Sequence, residues 1–269
     1  EKNKRGGGRE MTENKRLLFD CHRHFYGGNI EEVLRTIETS PYSSKYMCYS
    51  SVCEEYLRNE TIFNPKVKYF IMPFVLKEID IESANYRLMN YTQCYENLFS
   101  VPLIGGEIGK IDHVKMVLGL KEHFLLHKWE EFDKRRGYYD WLNTNKKLLI
   151  IHCKDAVRMD CIKKIRTEYP DIYLQVAHLG VNRKNIEETL RLIEAFSGDD
   201  HVYFDVSTVF DYCFIESVRR LIGNQMLFGS DIPYINEQQF GIQMNYFFDD
   251  AWIDSFNNNA VDLLKKLRQ

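Results

Sequence analysis

The sequence predicts a single (β/α)8 TIM barrel, and three observations carry that expectation. Eight short apolar runs alternate with longer stretches of helical spacing. From one run to the next the repeat averages roughly 30 residues, the size of one strand–helix unit. The chain has 269 residues, the length at which eight such units close into one α/β domain.

The runs read as strands are 17–21, 46–50, 67–73, 101–107, 148–153, 172–178, 202–206 and 225–230. Most are rich in Val, Ile, Leu, Phe or Tyr, as parallel strands covered on both faces should be. Helical spacing marks 30–39, 85–99, 156–168, 185–196, 215–221 and 261–267. The longest gap, 109–147, predicts two further helices, around 114–132 and 138–142. Residues 1–10 are charged and Gly-rich without an apolar pattern. They read as a disordered tail or a cloning remnant ahead of Met11, which leaves 11–269 for the barrel.

Composition excludes several classes. The chain is 28% charged and 44% hydrophobic, ordinary for a soluble globular domain. It holds no run of about 20 apolar residues, so no membrane span is expected, and no secretory signal is visible. The seven cysteines are odd in number and form no C-x-x-C, which argues against a disulfide framework and a zinc ribbon. A reducing cytoplasm is the expected location. The net charge of −3 offers no global basic field to draw in nucleic acid. A nucleic-acid substrate would have to be held locally.

A barrel gathers its chemistry at the C-terminal ends of its strands. Five of the eight predicted ends carry a metal-type ligand: His22 and His24, then Glu107, His152, His178 and Asp231. His22 and His24 are two apart, so on a strand both imidazoles share a face and can reach one ion. Four histidines and two carboxylates exceed one tetrahedral site. They suit two divalent ions (Zn, Mn, Mg or similar) bridged by one carboxylate, about 4 Å apart. A lone H-x-H is more often incidental, and a lone His after an apolar run is more often a core residue. The expectation rests on their joint placement.

These residues resemble a known family. The text LFDCHRHF around His22 and His24 is similar to the hydrophobic-D-x-H-x-H signature of the amidohydrolase superfamily, and within it of the TatD-type metal-dependent deoxyribonucleases. GGEIG at Glu107 and LIIHCKDA at His152 resemble two more segments of that family, and order and spacing agree from residue 17 onward. There are three departures. Lys154 stands where the family has Arg. Lys110-Ile111-Asp112 follows Gly109 where Leu-Asp is usual. FGSDIP ends the last strand and, with VAHLG and VYFDVS, looks more like the amidohydrolase-2 branch, which holds small-molecule hydrolases and metal-dependent decarboxylases.

The resemblance implies that His22, His24 and Asp231 hold one ion and that Glu107 bridges to a second, completed by His152 and His178. Asp231 is then the proton acceptor for a metal-activated water. On Glu107 the expectation tips to phosphodiester hydrolysis, a TatD-like DNase or exonuclease acting on nucleic acid or a small phosphodiester. The alternative is an amidohydrolase-2 type enzyme with one ion. TatD-like domains also occur in bacterial defence systems, which admits a protein partner in a larger assembly. For substrate contact the candidates are Lys154 as a point charge for phosphate, Asp205 at the end of the seventh strand, and Tyr234 as pocket wall. Lys154 reads equally as a solvated lysine, and Asp205 equally as the group that orients a ligand histidine. His123 and His127, four apart, read as a partly exposed helix rather than a metal pair.

Overall fold

The computed structural model describes residues 17–27, 65–75, 79–112 and, with short interruptions, 114–235 and 248–268, besides a few isolated positions. Its strands are β1 (Phe19–Phe25), β2 (Lys68–Pro73), β3 (Leu98–Ser100), β4 (Gly119–His123), β5 (Leu148–His152), β6 (Tyr173–Val176), β7 (Val202–Asp205) and β8 (Met226–Leu227). The helices between and after them are α1 (Ile81–Thr92), α2 (Ile108–Asp112), α3 (Arg136–Thr144), α4 (Arg158–Glu168), α5 (Ile186–Phe196), α6 (Tyr212–Ile222) and α7 (Asp250–Lys266). Side chains cap several of them in the ordinary way. Asp80, Asn185, Asp211 and Asp249 each accept a backbone N–H from the first turn of the helix they precede.

All strand pairs are parallel, in two sheets ordered β1-β2-β3 and β4-β5-β6-β7-β8. Backbone hydrogen bonds join the sheets at both edges. Lys121 N donates to Pro102 O at 2.7 Å and Ile104 N to Lys121 O at 2.9 Å. On the other side Cys21 N donates to Phe228 O at 2.9 Å, and Asp231 N to His22 O at 2.7 Å. The eight strands therefore follow one another around a barrel-like ring. Along β5, Leu149 and Ile151 pack with residues of α3 and α4, whereas Leu148 and Ile150 join the other cluster, with β1, β2, β7, β8 and α7. That alternation defines an inner and an outer face.

Among the described residues there are eight strands, one of which, β4, the sequence did not predict. The predicted strand 46–50 lies outside the described residues, and β1 pairs directly with β2. Most of the predicted helix 30–39 also lies outside them. The missing member is β4, which the sequence placed inside a helix. Its text GLKEH carries three ionisable side chains, and all five residues are buried. Gly119 lets β4 close on β5, since a Cβ there would lie 1.7 Å from Leu148 O. The strand expected at 101–107 lies earlier: β3 ends at Ser100, and within 101–107 only Leu103 makes an isolated bridge, to Lys121. The chain leaves the sheet at Gly105 (φ 126°) and Gly106 (φ 87°), backbone angles that favour glycine.

One irregularity aims the first histidines. In β1, Asp20 pairs with Tyr69 and Arg23 with Ile71, so three steps on β1 match two on β2. Such a bulge turns the following side chains to the opposite face. Before it, Phe19 and Cys21 pack with the inner residues Phe70 and Met72. After it His24 pairs with Met72, which puts His24 and His22 on the inner face.

Candidate metal centre

Three buried groups converge at the C-terminal ends of β1 and β8. His24 Nε2 lies 3.0 Å from Asp231 Oδ1, and His22 Nε2 lies 3.3 Å from the same oxygen. Asp231 follows β8 at φ 53°, a strained backbone for a non-glycine residue, held by its bond to His22 O. The tautomers follow from the partners. His24 Nδ1 faces Pro73 O at 2.9 Å, and a carbonyl can only accept, so Nδ1 carries the hydrogen. His22 Nδ1 donates in the same way to Asp205 Oδ2 at 2.9 Å. Both Nε2 atoms then present lone pairs to a carboxylate oxygen. Two acceptors at such distances repel unless a proton or a metal ion lies between them. One lone pair from each imidazole and one carboxylate oxygen, all within 4.8 Å of one another, make a donor set that fits a divalent ion.

Asp205 is a fully buried anchor beneath His22, so it is not the pocket-lining group that substrate contact would need. It accepts from Gln175 Nε2 at 2.7 Å, from His22 Nδ1, from His178 N at 3.0 Å and from Ser207 N and Oγ. Burial by itself would raise its pKa, but the His22 and His178 imidazoles and Ser207 hold its carboxyl below the usual range. Burial likewise opposes ionisation of Asp231, and the surrounding imidazoles win there too. His22 is pushed towards its neutral, ligand-competent form by burial and by the Lys121 ammonium.

His178 and His152 stand beside this triad. His178 sits at φ 57° just after β6, and its ring stacks on His22 at 5.1 Å. Its Nδ1 donates to Ser207 O at 3.1 Å, which leaves Nε2 to accept from His152 Nδ1 at 3.0 Å. The facing nitrogens of these two rings thus serve each other. Among the described residues, no carboxylate groups with His152 as a metal-ligand set.

Glu107 requires the plainest correction. Because the two glycines turn the chain out of the sheet, it precedes α2 instead of ending a strand. Its side chain is 71% exposed and pairs with Lys110 at 3.5 Å. It lines an outer groove with Asp80, Glu82 and Tyr86. It does not bridge the histidines. Lys154 lies outside the described residues. Tyr234 packs edge-on against His24 at 5.1 Å, with its hydroxyl donating to Val75 O at 3.0 Å.

Sequence reasoning missed Lys121, Gln175 and Ser207 and misplaced His123 and His127. Lys121 Nζ is 3.2 Å from His22 Nε2. His123, at the end of β4, stacks on His152 at 4.2 Å, and His127 Nδ1 accepts from His123 N at 3.2 Å. These two histidines are buried and belong to a strand end and its turn, not to an exposed helix. Gln175 and Ser207 tie down Asp205. A period-two reading of GLKEH would have placed Lys121 and His123 on one inward face.

No protein-family model matches the sequence, and neither does any curated protein. Solved structures do match its architecture. A putative 2-pyrone-4,6-dicarboxylic acid hydrolase from Pseudomonas putida aligns with a TM-score of 0.70 at 14% identity, covering 94% of this chain and 99% of that one. An amidohydrolase 2 from Bifidobacterium longum subsp. infantis aligns at 0.62 and 15% identity, covering 92% and 98%. The fold is that of amidohydrolase-2 structures. A dihydroxybenzoic acid decarboxylase from Polaromonas sp. JS666, with bound manganese and 2-nitroresorcinol, shares the amidohydrolase-2 likeness at 0.63 and 10% identity, covering 93% and 97%. Of the two branches weighed from sequence, amidohydrolase-2 is the one these structures represent; a TatD-type nuclease is not shown by them.

Proposed function

We propose that this chain is a metal-dependent enzyme of small molecules, a hydrolase or decarboxylase, with one divalent cation held by His22, His24 and Asp231. The observation that carries the proposal is the convergence of two imidazole lone pairs and one carboxylate oxygen on a single point at a barrel's C-terminal end. Manganese in a structural neighbour supports it. Bound there, a divalent ion supplies Lewis-acid polarisation of a substrate oxygen.

The remaining chemistry belongs to the side chains. Asp205 and Pro73 O fix the two ligand imidazoles in the tautomer that offers Nε2. His178 is less buried than the ligands and is joined to His152 by a shared hydrogen. Because both His178 nitrogens are engaged, the proton acceptor of this reading is His152 through its Nε2, with His178 fixing its tautomer. Tyr234 closes one side of His24 against water. Phosphodiester hydrolysis drew its support from Glu107 as a bridge, and Glu107 stands elsewhere.

The test is metal analysis beside activity on two panels: lactones and aromatic carboxylic acids, and a chromogenic phosphodiester. One ion per chain, turnover in the first panel and loss of both in Asp231→Asn would uphold the proposal. Turnover of the phosphodiester alone, with two ions bound, would return the protein to the nuclease reading.

A further inference from the structure

A groove of about 540 Å³ lies on the outside of the barrel, with α1 on one side and residues 105–114 on the other. Its lining shares no residue with the candidate metal centre. On the α1 side Glu82, Tyr86, Met89 and Gln93 recur at steps of four, three and four, so they form one stripe of that helix and its C-cap. At about 1.5 Å per residue the stripe is roughly 16 Å long, three turns of helix. Met89 and Ile111 belong to the outer core cluster and make an apolar floor, and Val114 packs against the same cluster. The walls are fixed in place. Asn85 accepts from Leu103 N at 2.8 Å and donates to Leu103 O at 2.8 Å and to Gly105 O at 3.2 Å. The Tyr138 hydroxyl donates to Gly106 O at 2.6 Å. At the edge stands Tyr86, 64% exposed, which no other large apolar side chain among the described residues matches.

Charge is confined to one end of this apolar groove. Asp80, Glu82 and Glu107 lie where α1 and α2 begin. Against these three carboxylates the described lining sets one ammonium, that of Lys110, which meets Glu82 at 2.6 Å and Glu107 at 3.5 Å. A surplus of negative charge remains at that end. The far end, at Asn90, Gln93 and Val114, is uncharged.

We propose that this groove is a docking site for one amphipathic helix of another protein. The partner helix has about three turns, apolar residues at i, i+3, i+4 and i+7 on the floor, and lysine or arginine in the turn that meets Asp80, Glu82 and Glu107. The stripe sets the length, the floor sets the apolar face, and charge complementarity sets the sign and the end. Tyr86 is the anchor over which the partner closes, since an exposed aromatic ring with a polar tip is the type of side chain that carries binding energy at protein interfaces. The inference stands apart from the metal reading given above.

The experiment uses the full chain and a fluorescent, alanine-rich peptide of about 15 residues, long enough to be helical. It carries leucines at the apolar positions and lysines in the last turn, where they also suit the helix dipole. A control peptide has glutamates in place of the lysines. Fluorescence anisotropy should show saturable binding of the lysine peptide that weakens with added salt, and binding about tenfold or more weakly by the glutamate peptide. Tyr86→Ala should weaken the lysine peptide about tenfold, and Glu107→Lys should do the same from the charged end. Lys110→Met removes the competing ammonium and should strengthen binding about threefold. Tyr86 and Glu107 are exposed, so unchanged urea midpoints show that lost binding is local. Binding of neither peptide would overturn the inference, as would equal binding of both, or binding indifferent to Tyr86→Ala and Glu107→Lys. Sedimentation at rising protein concentration checks the other occupant. A dimer that Tyr86→Ala abolishes would assign the groove to a second copy of this chain and overturn the inference as well.

Discussion

At the scale of single residues, Asp205 shows how a group with no surface can govern a site. It accepts the hydrogen that decides which nitrogen His22 offers. Asp205→Asn keeps the shape but presents an amide that can donate where His22 must donate. The expected outcome is a loss of about 10–100-fold in metal affinity with little change in the circular dichroism spectrum. Unchanged affinity would mean that His22 is oriented by Ser207 instead. His127 makes a second prediction, on pH. Burial, with the nearby Arg135 charge, lowers its pKa from 6.5 to about 4. Between those values the unfolded chain binds more protons than the folded one, so stability rises with pH there. The contribution is complete above pH 6.5 and is lost as pH falls towards 4, at most about 3 kcal/mol. His127→Asn keeps an acceptor for His123 N–H without titrating. Its stability should fall less than the wild type's between pH 7 and 4, as read from urea midpoints at each pH.

At the scale of elements, β4 is the strand the whole arrangement depends on. Its outer face carries Glu122, which accepts from Arg135 at 2.8 Å and from the Tyr139 hydroxyl. All three groups are buried, and Glu122 supplies Arg135 with a buried counter-charge. Glu122→Ala removes that counter-charge and should cost about 3–5 kcal/mol, read from chemical unfolding. A much smaller loss would show that water reaches Arg135. The close approach at Gly119 is equally demanding. Gly119→Ala would put a methyl group onto a backbone oxygen of β5, a clash that no rotamer relieves. The expected result is a melting temperature lower by several degrees or more. The bulge in β1 belongs to this scale too, since it decides which face His22 and His24 present.

At the scale of the whole molecule, the candidate centre joins strands that are far apart in sequence. His22 and His24 come from β1 and Asp231 from the segment after β8, and backbone bonds from Asp231 N to His22 O and from His24 N to Ile232 O join the two segments. A ligand bound only by the folded state should therefore stabilise the whole barrel. With free metal at 100 times its dissociation constant the gain is about 2.7 kcal/mol. Chelation should lower the melting temperature reversibly, and Asp231→Asn should remove the difference between loaded and stripped protein. A melting temperature indifferent to metal would count against the centre. Among the described residues, no helix is long and apolar enough to cross a membrane.

The sequence by itself determined the alternation of strands and helices, and with it the barrel class. It also picked out His22, His24, His152, His178 and Asp231, because each follows an apolar run that only a buried strand explains. Local pattern suffices for such features, since a strand's period and a helix's cap are written in neighbouring residues. Tertiary structure decided the rest. Glu107 looks like a ligand in a linear reading, yet two glycines with positive φ swing it outward, and nothing local announces which way a turn will leave a sheet. Lys121 and His123 look like residues of an exposed helix, because charged side chains on a strand are tolerated only when partners from distant strands meet them. Those partners are His22 and His152, 99 and 29 residues away in the chain, and only the closed fold brings them together.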